Sequence, residues 1–474
     1  MNVVVVGAGV GGLCAAIELA HAGHRVEVLE QGDAPGGKCA RVARGGYRWD
    51  AGPSLLTLPH AFGDLFAETG SPLEDELELQ RVEPVTRYEF ADGTSVELSA
   101  DLPRALDALE RWSPGAGADW SRLLGTCAGM WRASQAFLAG PPPWPPRRPV
   151  RGEPRPDVRD ALRVRPWMTL RQLARASARD PRLRLVIERF ATYGGADPRR
   201  APAALAVAGY VEHAFGAWHP RGGLYELVLA LVRRLEALGG QLRLGVRAER
   251  ILVRHGRARG VETTAGAVSA DAVVAAVDEA IVRRRLLPGA PSKPAERSLS
   301  GLALLLGLRG RTADAPHHRI RFPADYDAEF DDVLVHRRPA RDPAIYVCAP
   351  GVTDPSGAPE DGEAWFVLVN APAVGDRADW VAAEAAIVDR LGVRNRLAEL
   401  IRRTPGDLER ETGALGGAIY GAAPHGRLRG LRRAGRRVRG VQGLWLAGGT
   451  VHPGGGLPLV ALGGRSVARA IGPA

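Results

Sequence analysis

Four consecutive branched residues, Val3 to Val6, open the chain and read as a strand buried on both faces. Four glycines fall in the next six positions. From Leu13 to Ala22 the apolar residues Leu13, Ile17 and Ala20 recur at helical spacing until Gly23 ends the run. Arg25 to Leu29 predicts a second strand, stopping at Glu30. From Gln31 to Pro53 the periodicity vanishes into six glycines and two prolines. A nicotinamide-type repeat would begin its next helix here; instead the backbone is expected to stay close to something large.

Residues 54–138 mix short helices with a hairpin, Arg87 to Phe90 and Ser95 to Leu98 flanking Asp92-Gly93. Pro141 to Pro149 is too proline-rich for helix or central strand. Helices are predicted at Leu170 to Ala178, Arg182 to Tyr193 and Leu224 to Leu238, the last stopped by Gly239-Gly240. Strands follow at Gln241 to Val246, Arg250 to Arg254, Gly260 to Thr263 and Ala272 to Ala276. Residues 285–410 alternate strands and helices. The chain closes with a buried strand, Leu444 to Ala447, a loop from Gly448 to Pro458 and a helix through Ala470. The pattern predicts an α/β chain of two interleaved domains. Nucleotide-domain segments are expected at 1–90, 216–284 and 411–474. A mixed α+β domain would take 91–215, including the Pro/Arg-rich stretch 138–168, and 285–410.

With 474 residues, 45% hydrophobic and 24% charged, the chain reads as globular. Cys14, Cys39, Cys127 and Cys348 have no metal-ligand spacing and form no CxxC, so neither a metal nor a disulfide framework is expected. The start is not a signal peptide, and the longest apolar runs fall short of the ~20 residues of a spanning helix. A cytoplasmic protein is expected. The net charge of +10 is almost wholly arginine, with Lys38 and Lys293 the two lysines.

Gly7, Gly9 and Gly12 form G-x-G-x-x-G directly after a strand and opening a helix, with Ala8 and Gly11 between them. The first glycine makes the tight turn, the second admits a pyrophosphate to the backbone, and the third lets helix pack on strand. Glu30 follows Gly7 by 23 residues and ends the second strand, where a carboxylate accepts from both ribose hydroxyls. Placement and acid together point to a dinucleotide site.

Gly7 to Gly12, Glu30, Pro35-Gly36-Gly37-Lys38 and Asp50-Ala51-Gly52-Pro53 resemble the N-terminal signature of the carotenoid (phytoene) desaturases, FAD-dependent oxidoreductases. Gly443 to Gly449 with His452 to Pro458 is similar to that family's closing flavin motif. Arg189 to Gly195 and Pro202 resemble the branch acting on hydroxylated acyclic carotenoids, the 3,4-desaturases. The resemblance implies a Rossmann-like FAD-binding domain of the GDI/amine-oxidase kind, interleaved with a substrate domain. It implies that Gly36 and Gly37 pass close to the FAD diphosphate, with Lys38 adding charge or pairing locally. Gly52 and Pro53 would line the flavin ring, and Val246 would hold the adenine through its backbone or be a plain core valine. Gly448 and Gly449 would cap the ribityl chain, and Leu457 would be a further cofactor-binding residue. Many relatives carry an acid where Gly449 stands, which removes one contact here.

The implied chemistry is hydride loss from an allylic CH2–CH2 unit to oxidised flavin, then proton loss to a base. No residue stands out as that base; His452, in the flavin loop, reads better as a histidine bonded to backbone. Alternatives are a non-redox carotenoid isomerase, an amine oxidase-like enzyme with a polar substrate, and a non-catalytic prenyl-chaperone of the GDP-dissociation-inhibitor type. Residues 147–189, which follow Trp144 and include Trp167 and Met168, hold 13 arginines against five acids. That suits a dock on an anionic membrane, at the inner face, for a lipophilic polyene; a solvated basic face is the plainer reading. A second run, Arg427 to Arg439, reads as a surface loop. No nucleic-acid motif accompanies the charge.

Overall fold

The computed structural model describes residues 1–140, 158–289, 295–426 and 433–474. The proline-rich run and the start of the second arginine run lie outside them. Five parallel strands form the first sheet, in the order Leu444–Leu446, Ala272–Ala275, Asn2–Val6, Arg25–Leu29, Gln241–Arg243. Its strands come from three distant stretches of chain. Val3 to Val6 are all buried because helices cover one face and a three-stranded antiparallel sheet of residues 248–269 lies on the other side.

The helix Val10–His21 is buried along almost its whole length, which its small residues permit. It crosses the closing helix Leu457–Ile471 so tightly that a Cβ on Gly464 would lie 2.3 Å from the Gly11 carbonyl oxygen. Arg465 and Arg469 lock this crossing through Glu18 and Glu68.

Seven strands form the second sheet, in the order Leu397–Arg403, Ser300–Arg309, Gly362–Ala371, Ile345–Cys348, His318–Arg321, Thr86–Glu89, Ser95–Leu98. The Asp92-Gly93 hairpin thus lies wholly in this sheet, so the domain boundary belongs before Thr86 rather than at residue 90. A second hairpin, Arg41–Arg44 with Tyr47–Asp50, fills part of the aperiodic stretch. Its Trp49 indole donates to Leu306 O at 3.1 Å, pinning the first segment to the second sheet. The region expected to hold short helices contains one of 24 residues, Ala116–Ala139. Packing of Trp120, Leu123, Cys127 and Met130 overrides the weak local propensity of Gly125 and Gly129.

Candidate functional site

Gly7 takes φ +101°, a conformation glycine reaches without strain, and turns the chain from strand to helix. Gly9 caps the helix without any side-chain hydrogen bond, and the first intrahelical bond runs from Leu13 N to Gly9 O at 2.9 Å. The amides of Val10, Gly11 and Gly12 are therefore left for an anion at the positive end of the helix. Gly12 is obligatory: a Cβ there would sit 2.2 Å from the Gly7 carbonyl oxygen.

The loop at 35–38 closes on this turn. Gly36 N donates to Ala8 O at 2.9 Å, Gly9 and Gly36 pair as a bridge, and a Cβ on Gly37 would lie 3.5 Å from Gly9 Cα. From the other side Gly448 approaches Gly11, where a Cβ would meet Gly448 Cα at 3.2 Å. A second helix begins beside it, with Gly456 as a cap lacking any side-chain bond and Leu457 buried in its first turn. Two helix N-termini with bare glycine caps thus converge, a donor set that fits a diphosphate and the polar chain of a flavin dinucleotide.

Glu30 is set for a sugar. Its Oε2 accepts from Ala8 N at 2.8 Å and its Oε1 from Gly32 N at 2.9 Å, leaving further lone pairs on both oxygens. Val246 is placed at the same end, but its N–H already donates to Glu30 O at 2.8 Å. The expected grip on adenine through this backbone is thereby reduced to the Val246 carbonyl. Gly52 is glycine for another reason than ring contact: a Cβ would lie 1.7 Å from Lys38 O. Pro53 follows it, half-buried. Asp50 in the same motif holds a helix end, accepting from Leu224 N at 2.7 Å and Tyr225 N at 3.0 Å.

Lys38 donates to Ile419 O at 2.5 Å, and burial lowers its ammonium to about 8 against the opposing pull of Asp278. The neighbouring Tyr420 ring is wedged between Gly195 and Gly455, where added Cβ atoms would come within 2.7 and 2.4 Å of it. That wedge joins the Arg189–Gly195 motif to the flavin loop. Arg433 completes it, donating to Gly449 O at 3.1 Å. A Cβ on Gly449 would meet Gly455 Cα at 3.2 Å, so the close loop crossing, as well as the missing acid, distinguishes this position.

Beyond Tyr420 stands a pair the residue pattern did not single out. Tyr193 Oη donates to Glu212 Oε1 at 3.2 Å. Burial pushes the Glu212 carboxyl up to about 7, although the tyrosine bond works against the rise. Tyr193 leaves 39% of its surface uncovered, yet burial raises its hydroxyl well above the usual phenol range. Arg189, buried beside Tyr326 and Glu329, supplies a cation to this wall. The signal for Glu212 was the one acid in the mainly apolar helix Val207–Phe215.

His452 is bonded to backbone, its Nε2 2.6 Å from Phe137 O, and burial with nearby Arg436 holds it down to about 4. The second arginine run is not simply surface: Arg433 is engaged as above and Arg436 is buried against Gly140 O. The first arginine stretch is also corrected in part. Residues 158–189 are mainly helical, and Arg171, Arg179 and Arg182 pair with Glu188 and Asp327, Asp119, and Asp180 and Asp92 respectively. A depression of about 740 Å³ lined by Arg44, Trp380, Arg402 and Arg410 lies apart from the glycine cradle.

The family model for flavin-containing amine oxidoreductases matches residues 10–305. Hydroxyneurosporene desaturase of Rubrivivax gelatinosus is 35% identical over 99% of this chain and 93% of its own length. A zeta-carotene-forming phytoene desaturase of Myxococcus xanthus is 34% identical over 98% of this chain and 93% of its own. Among solved structures, putrescine oxidase bound to putrescine superposes with a TM-score of 0.66 over 99% of both chains at 18% identity, a likeness of fold.

Proposed function

The chain belongs to the flavin-containing amine oxidoreductases, within the carotenoid desaturase family, and from that premise we propose that it dehydrogenates an acyclic carotenoid. FAD is its cofactor and, when bound, supplies the hydride acceptor. The observation that carries the reading is the cradle itself, Gly7 to Gly12 with Glu30, closed by Tyr420 onto a wall bearing a buried carboxyl. The glycine amides and Glu30 hold the dinucleotide, Tyr193 holds Glu212 in place through its hydroxyl, and Glu212 accepts the proton.

Within the family we favour a 1-hydroxylated acyclic substrate desaturated at C3–C4, supported by the Arg189–Gly195 motif and by the names of two relatives, the Rubrivivax hydroxyneurosporene desaturase and a Flavobacterium 1-hydroxycarotenoid 3,4-desaturase. Expression in hosts accumulating either a 1-hydroxylated acyclic carotenoid or phytoene tests this. A product lighter by two hydrogens with a red-shifted chromophore from the hydroxylated pigment is expected. An unchanged mass with altered geometry would mean isomerisation, and added oxygen would mean oxygenation; either outcome rejects the reading.

The protein acts at the cytoplasmic face of the inner membrane in this reading. Among the described residues no helix is long and apolar enough to cross a membrane. Leu162 and Trp167, however, are 53% and 49% exposed beside Arg163, as lipid contact requires. Co-sedimentation with anionic vesicles should weaken about tenfold in Leu162→Ala/Trp167→Ala, from roughly 1 kcal/mol or less of half-buried apolar surface per side chain. Equal pelleting of both proteins would remove the dock.

A further inference from the structure

The second sheet assembles a cluster that neither the cradle nor the Tyr193–Glu212 wall uses. His317 and His318 are adjacent where the strand His318–Arg321 begins, and Cys348 ends the strand Ile345–Cys348. Antiparallel pairing sets His318 opposite Cys348, and Ala349 N donates to His317 O at 2.8 Å. Cross-strand partners project to the same face. A ring nitrogen from each histidine and the Cys348 Sγ accordingly lie within 4.8 Å of one another, all three residues being buried.

The hydrogen bonds around the cluster are arranged on one side of each ring. His317 Nδ1 is 2.6 Å from Thr353 Oγ1, and His318 Nδ1 is 2.8 Å from Tyr346 Oη. Tyr346 Oη is itself 2.5 Å from Ser54 Oγ, just past Gly52-Pro53. The Nε2 atoms of both histidines have no partner among the described residues. His219, whose ring centre is 5.1 Å from that of His317, adds a third buried nitrogen, Nδ1, with none. Buried polar atoms are nearly always satisfied, so three orphans in one place call for a shared partner. A histidine whose one nitrogen is fixed by an outer hydroxyl and whose other is bare has the arrangement of a metal ligand.

We propose that His317, His318 and Cys348 bind a divalent ion of the zinc class, with the His219 ring packed beside His317. Two imidazoles and one sulfur exclude calcium and magnesium, which need oxygen ligands, and suit a borderline ion that keeps one further position for a water or a neighbouring group. Cys348 is a free, buried cysteine. On binding, the S–H bond breaks, the S–metal bond forms and one proton leaves to solvent. The ion would tie two strands of the second sheet together and, through Tyr346, link them to Ser54.

The test uses the untagged, FAD-loaded full chain, stripped with chelator and reloaded with zinc or cobalt. Elemental analysis should find one equivalent of metal per chain. The cobalt form should show a thiolate charge-transfer band in the near ultraviolet that Cys348→Ser abolishes, and His317→Gln/His318→Gln should lower bound metal at least tenfold. Flavin absorbance and circular dichroism report whether each variant is folded, and the near-isosteric Cys348→Ser guards against simple unfolding. No bound metal in the parent chain, or equal metal in parent and variants, overturns the proposal and leaves bridging water as the partner of the three nitrogens.

Discussion

Glu212→Gln lowers kcat on the carotenoid about 10²–10⁴-fold while FAD stays bound, because the carboxylate that takes the proton is lost and its volume is kept. The measurement is anaerobic single-turnover bleaching of the flavin by substrate, beside flavin absorbance per chain. In the parent protein the rate should rise as pH passes through about 7, where Glu212 ionises, and level off above. The variant should lose that limb. Tyr193→Phe, which removes the hydrogen bond that favours the ionised form, should move the limb to higher pH. A stability effect of defined sign accompanies it. Glu212 has its folded value raised above the unfolded ~4.3, so its contribution is fully present below pH ~4 and is lost as pH rises through about 7. Glu212→Gln should therefore melt higher than the parent at pH 8, by up to about 3 kcal/mol of stability, and show no gain at pH 4. An unchanged kcat in Glu212→Gln would place the base elsewhere.

Gly12→Ala is expected to weaken FAD binding by at least about 100-fold, roughly 3 kcal/mol, and to lower the melting temperature. The added methyl would sit 2.2 Å from Gly7 O and 2.9 Å from Ala276 Cβ, and the first of these is backbone that cannot rotate away. Relief requires the helix Val10–His21 to move off its strand, carrying with it the amides that face the diphosphate. Titration of FAD into the apoprotein, followed by flavin fluorescence, measures the loss. Gly63→Ala is the matched control: it lies in the helix His60–Thr69 with nothing within 4 Å of the new methyl. It should leave FAD affinity alone and stabilise the chain by about 0.5–1 kcal/mol. Equal effects at the two positions would mean that helix propensity, not the close approach, governs Gly12.

The cradle was legible because its parts are local. Strand, glycine turn, helix and second strand occupy residues 2–29, and the parallel register that brings Ala8 N to Glu30 follows from that unit alone. Hydrophobic period distinguished the buried run at Val3–Val6 from the helix after it, and Asp92-Gly93 marked its hairpin by turn chemistry. The charge of residues 147–189 was legible as a sum but not as a distribution. Composition does not reveal that Arg171 reaches Asp327 or that Arg179 reaches Asp119.

What the sequence determined by itself is therefore the chemistry of short spans: a phosphate-binding turn, an acid for a sugar, and a family signature at both ends. Only the tertiary structure decided which distant spans meet. It set Gly11 against Gly448, wedged Tyr420 between Gly195 and Gly455, paired Tyr193 with Glu212 and faced His318 with Cys348. The physical reason is that periodicity records which face of an element is buried but not what buries it. Contacts across hundreds of residues are chosen by packing of whole sheets and helices, and the side chains that carry proton and metal chemistry sit on those contacts.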